Sequence, residues 1–355
     1  MSSGPARHGD APDPVVARMM GADAVRAHGG PWSVLAAIAA VAVILDVGRF
    51  LPTIARMARP RWGWPKPSTR PDPISQVYGR YLGQELSLDI YLPRSGSSHQ
   101  TPLVIFFHGG GWRMGNKKLI EPGVFRLLDH GFAVASVDYS LSSEAVWPEQ
   151  GFQIKGAVRW LRAHATEFGF DPDAFFAFGG SAGGHLAAML ATTNGVARFE
   201  DARYGNMDVS SAIQRAVLWY APTDLLLRAR FSLLRLVFFD GHPRSPLSSC
   251  ARLIGGAPAR RRDIARDASP VHWARADTTV PCLLMHGTKD VVVPYEHSVA
   301  FAAKLDAIGV DHRFTVFDGY RHVDLRFNQA ATMDDVIEFL RGDSQCSNAR
   351  TSSSK

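Results

Sequence analysis

From residue 74 onward the apolar positions fall in short runs separated by polar turns, and their period changes along the chain. Leu86, Leu88, Ile90 and Leu92 alternate with polar or small residues, the pattern of a strand with one buried face. With the stretch 75–79 they predict an antiparallel pair. The runs 103–107 (LVIFF), 132–138, 174–178, 215–220, 282–285 and 313–317 are continuously apolar instead, as strands covered on both faces are. Between and after them lie segments of helical period, 118–129, 152–168, 183–191, 296–308 and 332–341. Such alternation predicts one α/β domain over 74–341, built on a mainly parallel sheet flanked by helices. Residues 222–280 break the alternation as a cap insertion. Its apolar stretch 231–239 (FSLLRLVFF), with Arg228, Arg230 and Arg235 interspersed, either packs on the body or lines an acyl pocket.

The pattern is different ahead of the domain. Residues 1–30 are rich in Gly, Ala, Pro, Arg and Asp without periodicity and read as a disordered segment. Residues 31–51 hold an apolar helix whose uncharged part, 32–45, falls short of the roughly 20 residues that span a bilayer. Extending it to Leu51 takes in Asp46 and Arg49, which fit headgroup level. Two readings follow: a membrane anchor through 32–51, with the body on the cytoplasmic side, or a helix packed on a cytoplasmic domain. Residues 52–73 are a Pro-rich linker and 342–355 a polar tail.

Composition narrows the chemistry. With 355 residues, 46% of them hydrophobic, the chain can bury a large core. The net charge of +6 is scattered, and Arg260, Arg261 and Arg262 form its one tight cluster, so no nucleic-acid partner is expected. Cys250, Cys282 and Cys346 lack any C-x-x-C pairing, and the histidines lack metal-ligand spacing. No metal and no cofactor is expected. Nothing in the sequence sets the oligomeric state.

Candidate chemistry sits where predicted strands end. Gly179, Ser181 and Gly183 spell G-x-S-x-G at a strand-to-helix turn, which read alone fits a capped glycine turn as well as a nucleophile elbow. A serine nucleophile needs a base, and the base needs a carboxylate to fix its tautomer. His322, in DGYRHVD after 313–317, and Asp290, in HGTKDVVVP after 282–285, supply them in the order Ser, Asp, His. His312 and His297 are the alternative bases, although one starts a predicted strand and the other lies in a predicted helix. Gly110 and Gly111 of HGGGW (108–112), with Ala182, offer backbone N–H groups to an oxyanion. His108, Asp318, Asp324 and the pair Asp138-Tyr139 read as supports for these loops.

On HGGGW, GGSAGGHLA, HGTKD and His322 in that order, the chain from about 74 to 340 resembles the α/β-hydrolase family, in its HGGGW-bearing carboxylesterase, lipase and deacetylase branch. LSLDIYLP and RDASPVHW are similar to its feruloyl-esterase and acetyl-esterase subgroup. The resemblance implies an eight-stranded sheet, a Ser181–Asp290–His322 triad and an oxyanion hole of Gly110, Gly111 and Ala182. It also implies hydrolysis of small-molecule or lipid carboxylic esters through an acyl-serine. A peptidase or amidase of the same fold and a catalytically silent membrane-anchored binding protein are the alternatives. Two departures stand out. Gly180 replaces the Asp usual in hormone-sensitive-lipase relatives, and Arg321 and Val323 flank His322 where the family carries a small residue and Gly.

Overall fold

The computed structural model describes residues 71–93, 100–227, 248–342 and the pair 351–352. The expectations for 1–30, 31–51, most of 52–73, the stretch 231–239 and most of the tail lie outside them. Among the described residues no helix is long and apolar enough to cross a membrane.

The alternating stretches form the hairpin β1 (Ile74–Tyr81) and β2 (Gln84–Tyr91), and the continuous runs form β3 (Thr101–Phe107), β4 (Ala133–Val137), β5 (Phe170–Gly180), β6 (Arg215–Trp219), β7 (Cys282–Gly287) and β8 (His312–Phe317). A two-residue strand, β9 (Thr351–Ser352), lies beside β8, and the sheet order is β1-β2-β4-β3-β5-β6-β7-β8-β9. β1 and β2, and β2 and β4, pair antiparallel; every other neighbour is parallel. This is the mainly parallel eight-stranded sheet expected, with β9 added at its edge.

The helices are α1 (Arg126–Asp129), α2 (Glu149–Ala163), α3 (Ala165–Phe168), α4 (Ala182–Thr192), α5 (Ser249–Leu253), α6 (Arg262–Asp267), α7 (Pro270–Trp273), α8 (Glu296–Ile308) and α9 (Ala330–Arg341). Side chains alternate across each strand, so β3 feeds two cores. Leu103, Ile105 and Phe107 belong to one buried core with Ile154 of α2, Leu186 of α4 and Phe301 of α8. Val104 and Phe106 belong to a second core, on the other face, with Leu127 of α1 and Val336 of α9. Covering both faces is what made the strands read as unbroken apolar runs.

Two element boundaries differ from the sequence reading. The helix expected over 118–129 is a 3₁₀ turn (Pro122–Phe125) leading into the short α1. Pro122 forces Glu121 to φ −62°, ψ 129°, extended backbone from which no helix can run on. β5 starts at Phe170 rather than near 174 because Phe170 pairs with Thr101, a contact masked by the polar Asp171-Pro172-Asp173 that follows. Within 222–280, α5, α6 and α7 are the described helices of the insertion.

Candidate active site

Parallel strands bring their carboxyl ends to one edge of the sheet, where ligands bind such folds. At that edge β5 ends at Gly180 and α4 begins at Ala182, so Ser181 alone turns the chain, at φ 57° and ψ −122°. A non-glycine residue holds such backbone only where its surroundings impose it. The turn closes tightly because a Cβ on Gly183 would stand 1.9 Å from the Phe107 carbonyl oxygen.

Ser181 Oγ–H donates to His322 Nε2 at 2.9 Å, and His322 Nδ1–H donates to Asp290 Oδ2 at 2.7 Å. The other Asp290 oxygen accepts the N–H groups of Val292 and Val293 at 2.8 and 2.9 Å. Burial would raise the Asp290 carboxyl, but the His322 charge and hydrogen bonds from His286 and His322 outweigh it and hold the group well below the usual carboxylate range. An ionised carboxylate on Nδ1–H leaves Nε2 as the acceptor for the serine proton. The structure thus brings together the three residues that the sequence placed far apart.

The loops carrying Asp290 and His322 are tied to each other. Thr288 N–H donates to the Phe317 carbonyl and Lys289 N–H to the Tyr320 carbonyl, both at 3.0 Å. Asp318 accepts from the Thr288 hydroxyl at 2.8 Å. Asp324 accepts from Arg326 Nε at 2.9 Å and Arg321 N–H at 3.3 Å; burial pushes its carboxyl up, yet these donors bring it down to about 2. Val323 takes φ 54°, backbone that glycine adopts freely, which marks a strained residue here.

The HGGGW loop passes over the elbow, with a Cβ on Gly109 only 3.6 Å from Ser181 Cβ. Gly110 sits at φ 118°, where a Cβ would meet the Met114 carbonyl oxygen at 2.1 Å. Among the described residues the N–H groups of Gly110, Gly111 and Ala182 donate to no backbone carbonyl. His108 Nδ1–H donates to the Gly109 carbonyl at 2.7 Å, and its ring stacks on Tyr139 with centroids 4.4 Å apart. Tyr139 O–H donates to the His108 carbonyl at 2.8 Å, and Asp138 accepts Lys117 N–H at 2.6 Å. The loop is therefore shaped from behind by His108, Asp138 and Tyr139, the supporting role read from the sequence.

The alternative bases sit elsewhere. His312 Nδ1–H donates to the Val310 carbonyl at 3.1 Å, and His297 Nδ1 accepts Thr223 N–H at 3.2 Å.

Two residues at the site escaped the sequence reading. Tyr220, one residue past β6 at φ 37°, sets its ring against His322 with centroids 4.8 Å apart. Its hydroxyl would lie 3.0 Å from a Cβ on residue 180, so glycine there makes room for the tyrosine. His286, buried at the end of β7, puts Nε2 3.3 Å from Asp290 Oδ2. The available signal was the first letter of HGTKD, four residues before the carboxylate.

Beside the Asp290 loop lies a pocket of about 350 Å³, its open mouth included, lined by Pro222, Leu225, Leu227, Cys250, Val292 and Val293 among others. Among the described residues no group of His, Cys, Asp and Glu side chains could hold a metal ion.

Comparison with known proteins bears on the family and the fold. The BD-FAE family profile matches residues 88–305. A probable carboxylic ester hydrolase of Mycobacterium tuberculosis, LipM, is 31% identical over 231 residues, which is 64% of this chain and 50% of the relative. Esterase LipQ of the same organism is 28% identical over 229 residues, 64% of this chain and 51% of the relative. The chain thus spans about half the length of these curated relatives. Among solved structures, a truncated carbohydrate esterase from gut microbiota superposes with a TM-score of 0.68 at 27% identity, over 76% of this chain and 96% of that one. The propionate-bound esterase Est2 of Thermogutta terrifontis gives 0.62 at 27% identity, over 79% and 97%. The fold is that of the α/β-hydrolases, and the chain belongs to the BD-FAE family of α/β-hydrolase esterases.

Proposed function

We propose that the protein is a serine hydrolase of small carboxylic esters. The observation that carries this is the unbroken hydrogen-bonded line from Ser181 Oγ through His322 to Asp290, at 2.9 and 2.7 Å. His322 Nε2 takes the Ser181 proton as Oγ attacks the ester carbonyl, and the N–H groups of Gly110, Gly111 and Ala182 receive the oxyanion. The alcohol leaves with the proton from His322, giving an acyl-serine. Water deprotonated by the same imidazole then adds to the acyl carbon, and the acid departs as Ser181 recovers its proton. The esterase names of the relatives support ester rather than peptide cleavage. The propionate- and butyrate-bound forms of the Thermogutta esterase favour a short acyl chain.

The test is hydrolysis of a series of chromogenic esters of increasing acyl length by wild type and Ser181→Ala. Activity greatest on acetate to butyrate esters and lost in the folded variant is expected; full activity in Ser181→Ala refutes the assignment. For location, the reading is membrane attachment through residues 32–51, motivated by their apolar run. Carbonate-washed membranes should then retain the full-length protein and release it when 32–51 is deleted.

A further inference from the structure

His286 stands behind the proposed triad and faces three groups. Its Nδ1 lies 2.8 Å from Ser298 Oγ on α8, and its Nε2 lies 3.0 Å from the Val293 carbonyl and 3.3 Å from Asp290 Oδ2. Two of these neighbours, the carbonyl and the carboxylate, only accept hydrogen bonds, so Nε2 must carry the hydrogen. Nδ1 is then an acceptor, and the Ser298 hydroxyl is the donor that fills it. The opposite tautomer would aim a lone pair at two oxygens in a site where both side chains are buried. Ser298 thus selects the tautomer, and the tautomer sends an N–H to the carboxylate oxygen that also receives His322 Nδ1–H.

We propose that His286 is a positioning residue for the catalytic dyad, holding Asp290 Oδ2 in line with His322 and withdrawing part of its charge. The proposal rests on the hydrolase reading above. One carboxylate oxygen is shared by two imidazoles, so removing the His286 donor leaves more negative charge on Asp290 facing His322. That favours the imidazolium and moves the loss of base activity to higher pH. Among the described residues, the other titratable groups around the pair include Lys289, His297, Arg321, Asp324 and Tyr220. On the Asp290 loop, Lys289 points to solvent. On α8, His297 accepts the Thr223 N–H. On the His322 loop, Asp324 is paired with Arg326, and Arg321 gives it a backbone N–H. At the end of β6, burial first, then the charges of Glu121, Asp290 and Asp324, drive Tyr220 far up.

The experiment is the pH dependence of kcat and kcat/KM for a short-chain chromogenic ester, with full-length wild type, Ser181→Ala, His286→Phe, His286→Gln and Ser298→Ala. His286→Phe keeps a ring and loses the donor. Its acid limb should move up by about 0.5 to 1 pH unit, with kcat lower by roughly tenfold and KM little changed. His286→Gln, which restores an N–H, should recover most of the limb position. Ser298→Ala, the mildest change, should shift the limb in the same direction by less. A folded His286→Phe with the wild-type limb, whether or not kcat falls, overturns the proposal. If that variant does not fold, an unchanged limb in Ser298→Ala overturns it. Hydrolysis that survives Ser181→Ala fails the hydrolase reading itself, and this inference with it.

Discussion

Glu200 and Asp290 are each a carboxylate gripped by two basic side chains, one on the flank of α2 and one at the edge of the sheet. Glu200 takes Lys155 Nζ at 3.0 Å and is also paired with Arg159, both cations 1% exposed and the carboxylate 21%. Asp290 takes His322 at 2.7 Å and His286 at 3.3 Å, with all three side chains at 2% or less. Glu200's partners are cations that serve as fixed counter-charges. Asp290's partners are imidazoles, which exchange protons near neutrality and can hold a hydrogen on one nitrogen while leaving the other as an acceptor. The first arrangement ties α2 to the loops around 193–211, since Lys155 also donates to the Thr193 carbonyl and Arg159 to those of Asp201 and Gly205. In the proposed mechanism the second hands a proton to and from a serine. The same charge pattern serves stability or chemistry according to whether its partners can change state.

Substitutions should separate the two on different axes. The largest effect is expected from Asp290→Asn, which leaves the shape and removes the charge: kcat should fall by about 10⁴-fold on the triad precedent, with folded protein retained. A loss below tenfold in Asp290→Asn would mean that the edge cluster is structural after all. Next comes Glu200→Gln, which leaves Lys155 and Arg159 buried without a counter-charge. About 3 kcal/mol of stability should be lost in urea unfolding, with kcat of the folded enzyme within a few-fold of wild type. Acid sharpens the same point. Burial would raise the Glu200 carboxyl, but Lys155, Ser211 and Arg159 lower it overall. Its stabilisation is therefore complete above the ordinary glutamate value of 4.5 and is lost as the pH falls through the lower folded value. Unfolding followed from pH 6 to pH 3 should show this loss in wild type and a flatter curve in Glu200→Gln. The smallest change is expected from Val323→Gly on the reacting side. It frees a β-branched residue from φ 54°, and relief of strain against the greater freedom of unfolded glycine should raise the melting midpoint by about 2 to 4 °C. A lower midpoint would place no strain at that turn.

The residues that were legible in the sequence are those whose position follows from strand ends. Ser181, Asp290 and His322 each follow a continuous apolar run, and a parallel sheet puts such ends side by side. The HGGGW loop was legible for the same reason, since β3 is the direct neighbour of β5. What stayed hidden depends on contacts between segments far apart in the chain. His286 matters only because Ser298, twelve residues on and in a helix, turns its tautomer. Tyr220 looked like the last letter of a strand until its ring was found on His322. Lys117 gave no local sign that it pairs with Asp89 beneath the oxyanion loop at 2.9 Å. The helix expected over 118–129 failed on a local rule outweighed by apolar spacing, the proline at 122. The start of β5 was hidden because pairing, rather than hydrophobicity, defines it.

The contact between Gly180 and Tyr220 constrains how this chain could change. A Cβ added at 180 would stand 3.0 Å from the Tyr220 hydroxyl, so a side chain there needs the tyrosine to give way by a few tenths of an ångström. The same ring packs against His322. Residues 180 and 220 are therefore coupled, and a larger residue at 180 should be tolerated better beside a smaller one at 220 than alone.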